Sequence, residues 1–383
     1  AGTIPVVVHI LHDDGVENIA EVQVQQALAW LNAAFAHVAP YAQGSGVNTG
    51  IRFCLATRDP EGRATSGIVR VKTPLTVLSL AQEAAAKASN YWPSDQYLNI
   101  WVVRDICWES LGCGVAAYAS VPSFHGRKND GIVIEHTFFG TTPGRTAAMI
   151  HEAGHYLGLY HTFEGGCTNS DCLINGDRVC DTPPDQSTAW LPCDQTVNTC
   201  TTDAQSGFST DSPDATRNFM DYGNLDCFQE FSAGQGARMR FFLEGARKSL
   251  LGSKGCYQPC PYIATTSILP GDTLLVAGTT LNFQGPIAPQ AQWNWTVNGQ
   301  AAGQTASLDY TFTETGSQAV VLTLQVATPD ICAPQRFESR VEVFCPAVSN
   351  FTAWPIQVNV NQPVRLTQRS TGYSSLEWLI DGI

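Results

Sequence analysis

One segment carries the residues best suited to chemistry: His151-Glu152-Ala-Gly-His155-Tyr-Leu-Gly158-Leu-Tyr-His161. His151 and His155 are four residues apart, so on a helix their imidazoles leave the same face and can share one metal ion. Glu152 lies beside them, placed to reach a metal-bound water rather than the metal. Gly158 permits a left-handed turn that ends the helix and brings the chain back, so that His161 supplies a third nitrogen. Three protein ligands and one open position describe a catalytic zinc site, whereas a structural site is closed. In a chain with this composition the eleven-residue pattern arises by chance roughly once in 10⁵ sequences. Coincidence is thereby set aside. Thr142 and Pro143 supply an N-cap and first helical residue, which puts the motif well inside a helix.

The rest of the chain must position that helix. Residues 1–160 alternate strand and helix signals. Ile4 to Ile10 is a near-continuous apolar run, as is Tyr97–Val103, the pattern of strands buried on both faces. Further strands are expected at 51–57, 68–72, 115–121 and 131–135. Helices are expected at 20–38, with Val24, Leu28, Leu31 and Phe35 on one side, and at 76–89. The alternation predicts a mostly parallel twisted sheet with helices, an α/β or α+β class. Residues 161–231 are rich in Cys, Asp, Thr, Gly and Pro and lack periodicity, so disulfides or ions must hold them. Ser232 caps a further helix running to about residue 251. Past Cys260 helices give way to alternating strands, and Trp293–Gly299 returns in altered form at Leu376–Gly382, a repeat of about 85 residues. Three parts follow: a catalytic domain over 1–258, an all-β sandwich over 259–345, and the start of a second β-module over 346–383.

Charge and composition exclude other partners. The net charge is −13 with five lysines, which leaves no basic patch for nucleic acid or an anionic membrane. Apolar runs stop well short of the ~18 residues a membrane helix needs. Thirteen cysteines, six of them between 167 and 227, point to an oxidising, extracellular setting. The start at Ala1, directly before a strand, reads as a mature N-terminus left by removal of a secretory signal.

The longer zinc motif marks the metzincins, which carry a Met turn beneath the metal. Met220, in Asn218-Phe-Met-Asp-Tyr222, fits that place, and Tyr222 resembles a tyrosine that sits near the zinc in several of them. Together with His161-Thr-Phe, Gly176–Pro184, Met220–Cys227, Phe231–Met239 and the opening Ile4–His12, the chain resembles the pappalysin family over residues 1–258. The resemblance implies a secreted zinc endopeptidase with structural calcium and a latent proenzyme held by an inhibitory pro-segment. Two departures stand out: Phe228 where Met is common, and an additional Cys pair after His161. The β-modules resemble those of polycystic-kidney-disease (PKD) type. The roles implied are Glu152 as base and then acid, Tyr222 as oxyanion donor, and peptides as substrates lying along the edge segment Gly114–Val121.

Other expectations are narrower. Asp177, Asp181 and Thr182, with Asp171 and Asp185 nearby, supply hard oxygens for calcium. By loop position Cys172 pairs with Cys200, Cys193 with Cys227, Cys167 with Cys180 and Cys107 with Cys113. Glu230, after the Met turn, is expected near the pocket floor, where its carboxylate selects Arg or Lys just after the scissile bond. His9, His12, His37, His125 and His136 have no ligand spacing. The competing reading is a catalytically silent metzincin-fold binding or adhesion protein, against which the intact ligands and Glu152 count. Trp293 and Trp295 are core residues of the β-module rather than a carbohydrate platform.

Overall fold

A computed structural model describes residues 2–378 apart from 89, 111, 169, 187, 189, 260–267, 287, 289–290, 326–331, 333, 346–349, 373–374 and 376. The Cys260 and Cys345–Ala347 openings of the internal repeat and most of its second tryptophan motif lie wholly or partly outside the described residues. The chain divides into two compact units, Ala1–Pro259 and Cys260–Ile383.

The first unit contains β1 (Gly2–His12), α1 (Glu21–Ala36), β2 (Ile51–Leu55), β3 (Ile68–Lys72), β4 (Val77–Ser79), α2 (Leu80–Ala88), β5 (Leu98–Val103), β6 (Asp105–Trp108), β7 (Gly112–Cys113), β8 (Ala117–Ala119), β9 (Ile132–Glu135), α3 (Pro143–Tyr156) and α4 (Ala233–Glu244). Its main sheet has the order β2-β1-β5-β9-β8, and β3 also pairs with β1. The first half of β1 runs parallel to β2 and the second half parallel to β3. The pairings β1–β5 and β5–β9 are parallel too, while β8 is an antiparallel edge. The apolar runs follow from this placement. Val6, Val8, Ile10, Ile100, Val102, Ile132 and Ile134 face one core with α1 and α3. Leu11, Trp101, Val103 and Val133 face another that contains Ala86 of α2. Strands covered on both sides have no polar face to alternate.

Three expectations shift. Residues 77–79 extend rather than coil, because β4 pairs with β6 in a separate small sheet that β7 and the Cys107–Cys113 bridge complete. The expected 115–121 strand narrows to β8. The last helix stops at Glu244, and a 3₁₀ turn covers Lys248–Gly252.

His9 sits on β1 with no exposed surface, stacked on Trp101, and one ring nitrogen meets Asn99 Oδ1 at 2.9 Å. Burial lowers its pKa from 6.5 to about 4, against the smaller opposing effect of Asn99. The folded protein therefore resists protonation that the unfolded chain accepts. Stability is lost as pH falls below 6.5 and towards 4, by about 2 kcal/mol from this group between pH 6.5 and 5. Urea unfolding across that range should give a flatter pH dependence for His9→Gln than for the parent. Parallel curves would remove His9 from the account.

In the second unit, β10 (Thr273–Val276), β11 (Thr279–Gln284), β12 (Gln292–Val297), β13 (Gln300–Gly303), β14 (Ser307–Phe312), β15 (Gly316–Gln325) and β16 (Gln335–Phe344) form two sheets, β10-β16-β15-β12-β13 and β11-β14. Both sheets contribute to one core, where Trp295, Phe283, Phe312, Leu322 and Val341 meet and Trp293 is partly buried against it. Trp295 is thus a core residue, and Trp293 packs against that core. A hairpin, β17 (Phe351–Trp354) and β18 (Arg365–Gln368), follows.

Candidate active site

Thr142 caps α3 by accepting from the Arg145 amide at 3.2 Å, and Pro143 occupies its first turn. The helix carries His151, Glu152 and His155 towards the sheet edge made by β8. It ends at Leu157, and Gly158 follows with φ +92°. A Cβ at Gly158 would also lie 2.2 Å from the Phe242 ring, so strain and sterics both exclude a side chain here. The reversed chain delivers His161.

The three imidazoles converge, with one nitrogen from each within 4.8 Å of the others. His151 Nδ1 lies 2.6 Å from the Phe219 carbonyl and His155 Nδ1 2.9 Å from the Leu159 carbonyl. A carbonyl only accepts, so both rings carry their proton on Nδ1 and present the Nε2 lone pair inward. His151 Nε2 is buried without a partner, and His155 Nε2 lies 3.0 Å from His161 Nε2. Burial lowers the pKa of all three, with His161 at about 4. Neutral imidazoles with converging, unsatisfied lone pairs are the donor set for a divalent zinc ion. The residues fit the metal.

Beneath the histidines lies Met220, fully buried. A Cβ at Gly154 would come within 2.4 Å of its sulfur, so glycine on α3 is what lets the turn approach. Asn218 Oδ1 accepts from the Met220 amide at 2.9 Å, and the Met220 carbonyl accepts from Thr162 N at 3.1 Å, tying the turn to the chain that carries His161. Tyr222 stands half exposed, its ring centroid 4.7 Å from His161 and 5.5 Å from His151. Phe163 stacks flat on His161 at 4.6 Å.

His151, Glu152 and Tyr222 line a cavity of about 470 Å³. Its other walls are Gly114–Ala117 leading into β8, Ala148 and Phe138, the segment Gly223, Leu225 and Phe228, and Thr188 with the exposed Trp190. The expected edge segment thus borders the cleft. Burial raises the Glu152 carboxyl to about 8. Asp221 also lines the cavity; burial first, then Asp185, raises its carboxyl to about 8.

Glu230 is a correction. It does not line this cavity. The chain after Cys227 pairs back on the Met-turn segment, with Phe219 N donating to the Glu230 carbonyl at 3.0 Å. This turns the Glu230 side chain under Gly44 and Gly46 and into a different cavity bounded by Ser45, Asp181 and Ser232. Two disulfides are also corrected: Cys167 pairs with Cys200 and Cys172 with Cys180. Asp171 accepts from the Ile174 and Asn175 amides, coiling the loop so that Cys172 and Cys180 come to 5.0 Å between Cα atoms. Cys193–Cys227 and Cys107–Cys113 form as expected. Cys54–Cys256, spanning 202 residues, carried no local signal.

Asp177 and Thr182 are together and buried, with the Thr182 hydroxyl donating to Asp177 at 2.6 Å. Asp181 instead accepts from Ser232 Oγ at 2.7 Å and Gly234 N at 2.8 Å, serving the start of α4. At the C-terminal end of α3, buried Arg247 donates to the Tyr156 carbonyl at 2.7 Å, lies over the Tyr156 ring and makes a two-point ion pair with buried Asp130. None of His9, His12, His37, His125 and His136 joins the zinc cluster.

A mixed sheet with an antiparallel edge, an active-site helix ending in a glycine turn, three converging histidines and a methionine beneath them define a metzincin. Residues 82–244 match the Peptidase_M43 profile, described as pregnancy-associated plasma protein-A. An extracellular metalloprotease of Arthroderma otae is 30% identical over 244 residues, covering 62% of this chain and 76% of that protein. One of Sordaria macrospora is 33% identical over 180 residues, covering 44% and 54%. The chain spans about half the length of several curated relatives that it matches. Mature mirolysin of Tannerella forsythia, solved with a cleaved peptide, superposes with a TM-score of 0.55 at 28% identity, covering 68% of this chain and 98% of that one. A second mirolysin complex gives 0.56 at 26% identity. The chain belongs to the pappalysin family of metallopeptidases.

Proposed function

We propose that the protein is an extracellular zinc endopeptidase, and the observation that carries this is the convergence of three neutral histidines on a cavity that also holds the buried Glu152. His151, His155 and His161 would hold a zinc ion, which when bound would supply Lewis acidity for a carbonyl and for a water. Glu152 accepts the proton of the attacking water and returns it to the leaving amine. The Tyr222 hydroxyl donates to the oxygen on which negative charge develops. An extended substrate pairs with the open edge beside β8, which fixes its direction across the cleft.

Specificity follows from the cavity walls. Ala148, Leu225 and Phe228 suit an aliphatic stem, and the buried Asp221, crowded by Asp185, favours a cationic head. Cleavage before Arg, with Lys second, is therefore assigned to Asp221 rather than Glu230. Asp177 and Thr182 support a structural calcium. Burial holds the Asp177 carboxyl near 7, a penalty that a bound cation removes. Asp181, committed to α4, is the weaker ligand of the three. The latent precursor with its pro-segment, and the reading of 259–345 and 346–383 as PKD-like accessory modules, belong to the same proposal.

The test is a proteome-derived peptide library digested by the purified protein. Phenanthroline should reduce cleavage to background, and about one equivalent of zinc should restore it. Selective calcium removal should leave the zinc content intact and lower the melting temperature. An unchanged melting temperature after verified calcium loss would discard the calcium assignment. Profiles dominated by Leu or Phe after the cut, or an unaltered Arg preference in Asp221→Asn, would discard the specificity assignment.

A further inference from the structure

Away from the cleft, a groove of about 400 Å³ opens between the 171–180 loop and α4. Arg178, Arg238, Leu173, Val179 and Phe241 line it, and none of them lines the zinc cavity. Its charge is unusual for a chain of net charge −13. Arg178 and Arg238 both lie over the Tyr160 ring, at 5.2 and 5.1 Å, and Arg238 also lies over Phe242 at 5.2 Å. Stacking uses the flat face of a guanidinium and leaves its N–H edge free. Arg238 spends Nε on the Gly158 carbonyl at 2.7 Å, which leaves its two terminal amino groups.

The nearest carboxylates are turned elsewhere. Asp177 accepts from the Val179 amide and the Thr182 hydroxyl, and Asp181 from Ser232 and Gly234. Among the described residues neither arginine has a carboxylate within ion-pair distance. Partial burial lowers the Arg238 pKa from its ordinary value; the Arg178 charge adds to this, and Tyr160 and the more distant Asp177 charge oppose it. Two like charges lining one groove, neither in contact with a carboxylate, select an anion. Beside them Leu173 and Phe241 are 72% and 71% exposed. A simple anion has no use for apolar walls, and a polyanion would be repelled by the rest of this surface.

We propose that this groove is an exosite for a polypeptide segment bearing a Glu or Asp side chain next to a large apolar one, the carboxylate bridging Arg178 and Arg238 and the apolar side chain lying on Leu173 and Phe241. A peptide as occupant rests on the proteolytic reading above. The groove approaches the catalytic loop through Tyr160, the residue before His161, and through the Arg238 bond to Gly158.

The test is anisotropy of a fluorescent acetyl-Gly-Glu-Leu-Glu-Phe-Gly-amide on the full chain, with the zinc cleft first blocked by a hydroxamate. Hydroxamate inhibition reports separately on the proteolytic reading, so the two failures are distinguishable. Saturable binding is expected, weakened at least tenfold when Gln replaces both Glu residues of the peptide. Arg178→Asn should weaken it by a similar factor; Arg178 has φ +60°, and asparagine tolerates that backbone. Phe241→Ser should weaken it several-fold. Equal binding of the Gln peptide, or no change in Arg178→Asn, overturns the proposal. Displacement by millimolar sulfate together with normal binding by Phe241→Ser also overturns it, in favour of a simple anion site.

Discussion

Glu152→Ala is expected to lower peptide hydrolysis by about 10³- to 10⁴-fold while leaving the fold and the zinc content unchanged. Glu152 sits between His151 and His155 on α3 but is not part of the converging cluster; it lines the cavity. In the mechanism proposed above, removing it takes away the group that accepts the water proton and protonates the leaving amine. His151 and His155 keep their orienting bonds to the Phe219 and Leu159 carbonyls, so the metal site is expected to stay intact. Zinc analysis, far-UV circular dichroism and turnover of one peptide substrate measure all three terms. Substantial turnover by a zinc-replete Glu152→Ala protein would refute the assignment. His151→Ala makes the contrast, because it should lose metal and activity together.

Asp130→Ala should be the most damaging single change to the first unit, by about 3–5 kcal/mol. Asp130 and Arg247 are both fully buried and joined by two hydrogen bonds of 2.7 and 3.0 Å. Without Asp130 the guanidinium keeps its desolvation cost and loses its counter-charge. The effect should reach the site, since Arg247 also holds the last carbonyl of α3 through Tyr156. Equilibrium unfolding in urea gives the magnitude. The double change Asp130→Ala with Arg247→Met should recover part of the loss, because it removes the stranded charge. A single variant as stable as the parent would show that the pair contributes little.

The zinc centre was legible because its determinants are local. A helical period of 3.6 puts residues four apart on one face, and a glycine turn returns the third histidine within six residues. Met220 and Tyr222 were legible only through a family pattern, since 59 residues separate Met220 from His161. The buried strands β1, β5 and β9 were legible from their apolar runs. β4 was not. Three residues beside a helix carry no period of their own, and only pairing with β6 makes them a strand.

The amino-acid order by itself determined the three histidines that converge, the buried glutamate beside them, the helix that holds them and the disulfide-rich character of 161–231. Tertiary structure decided which cysteines meet, where Glu230 points and what anchors the C-terminal end of α3. Loop position led to Cys172–Cys200 and Cys167–Cys180, whereas the Asp171 turn coils its loop so that Cys172 meets Cys180 and Cys167 meets Cys200. Glu230 follows the Met turn closely in sequence, yet a parallel bridge to Asn218, with Phe219 N donating to the Glu230 carbonyl, places its side chain in a cavity other than the one His151 and Glu152 line. Asp130 and Arg247 are 117 residues apart, and no spacing rule links them. The physical reason is one of range. Ligand spacing is set by the dihedral period of a single element, whereas a buried charge pair or a cross-loop bridge exists only after separate elements have packed and excluded water.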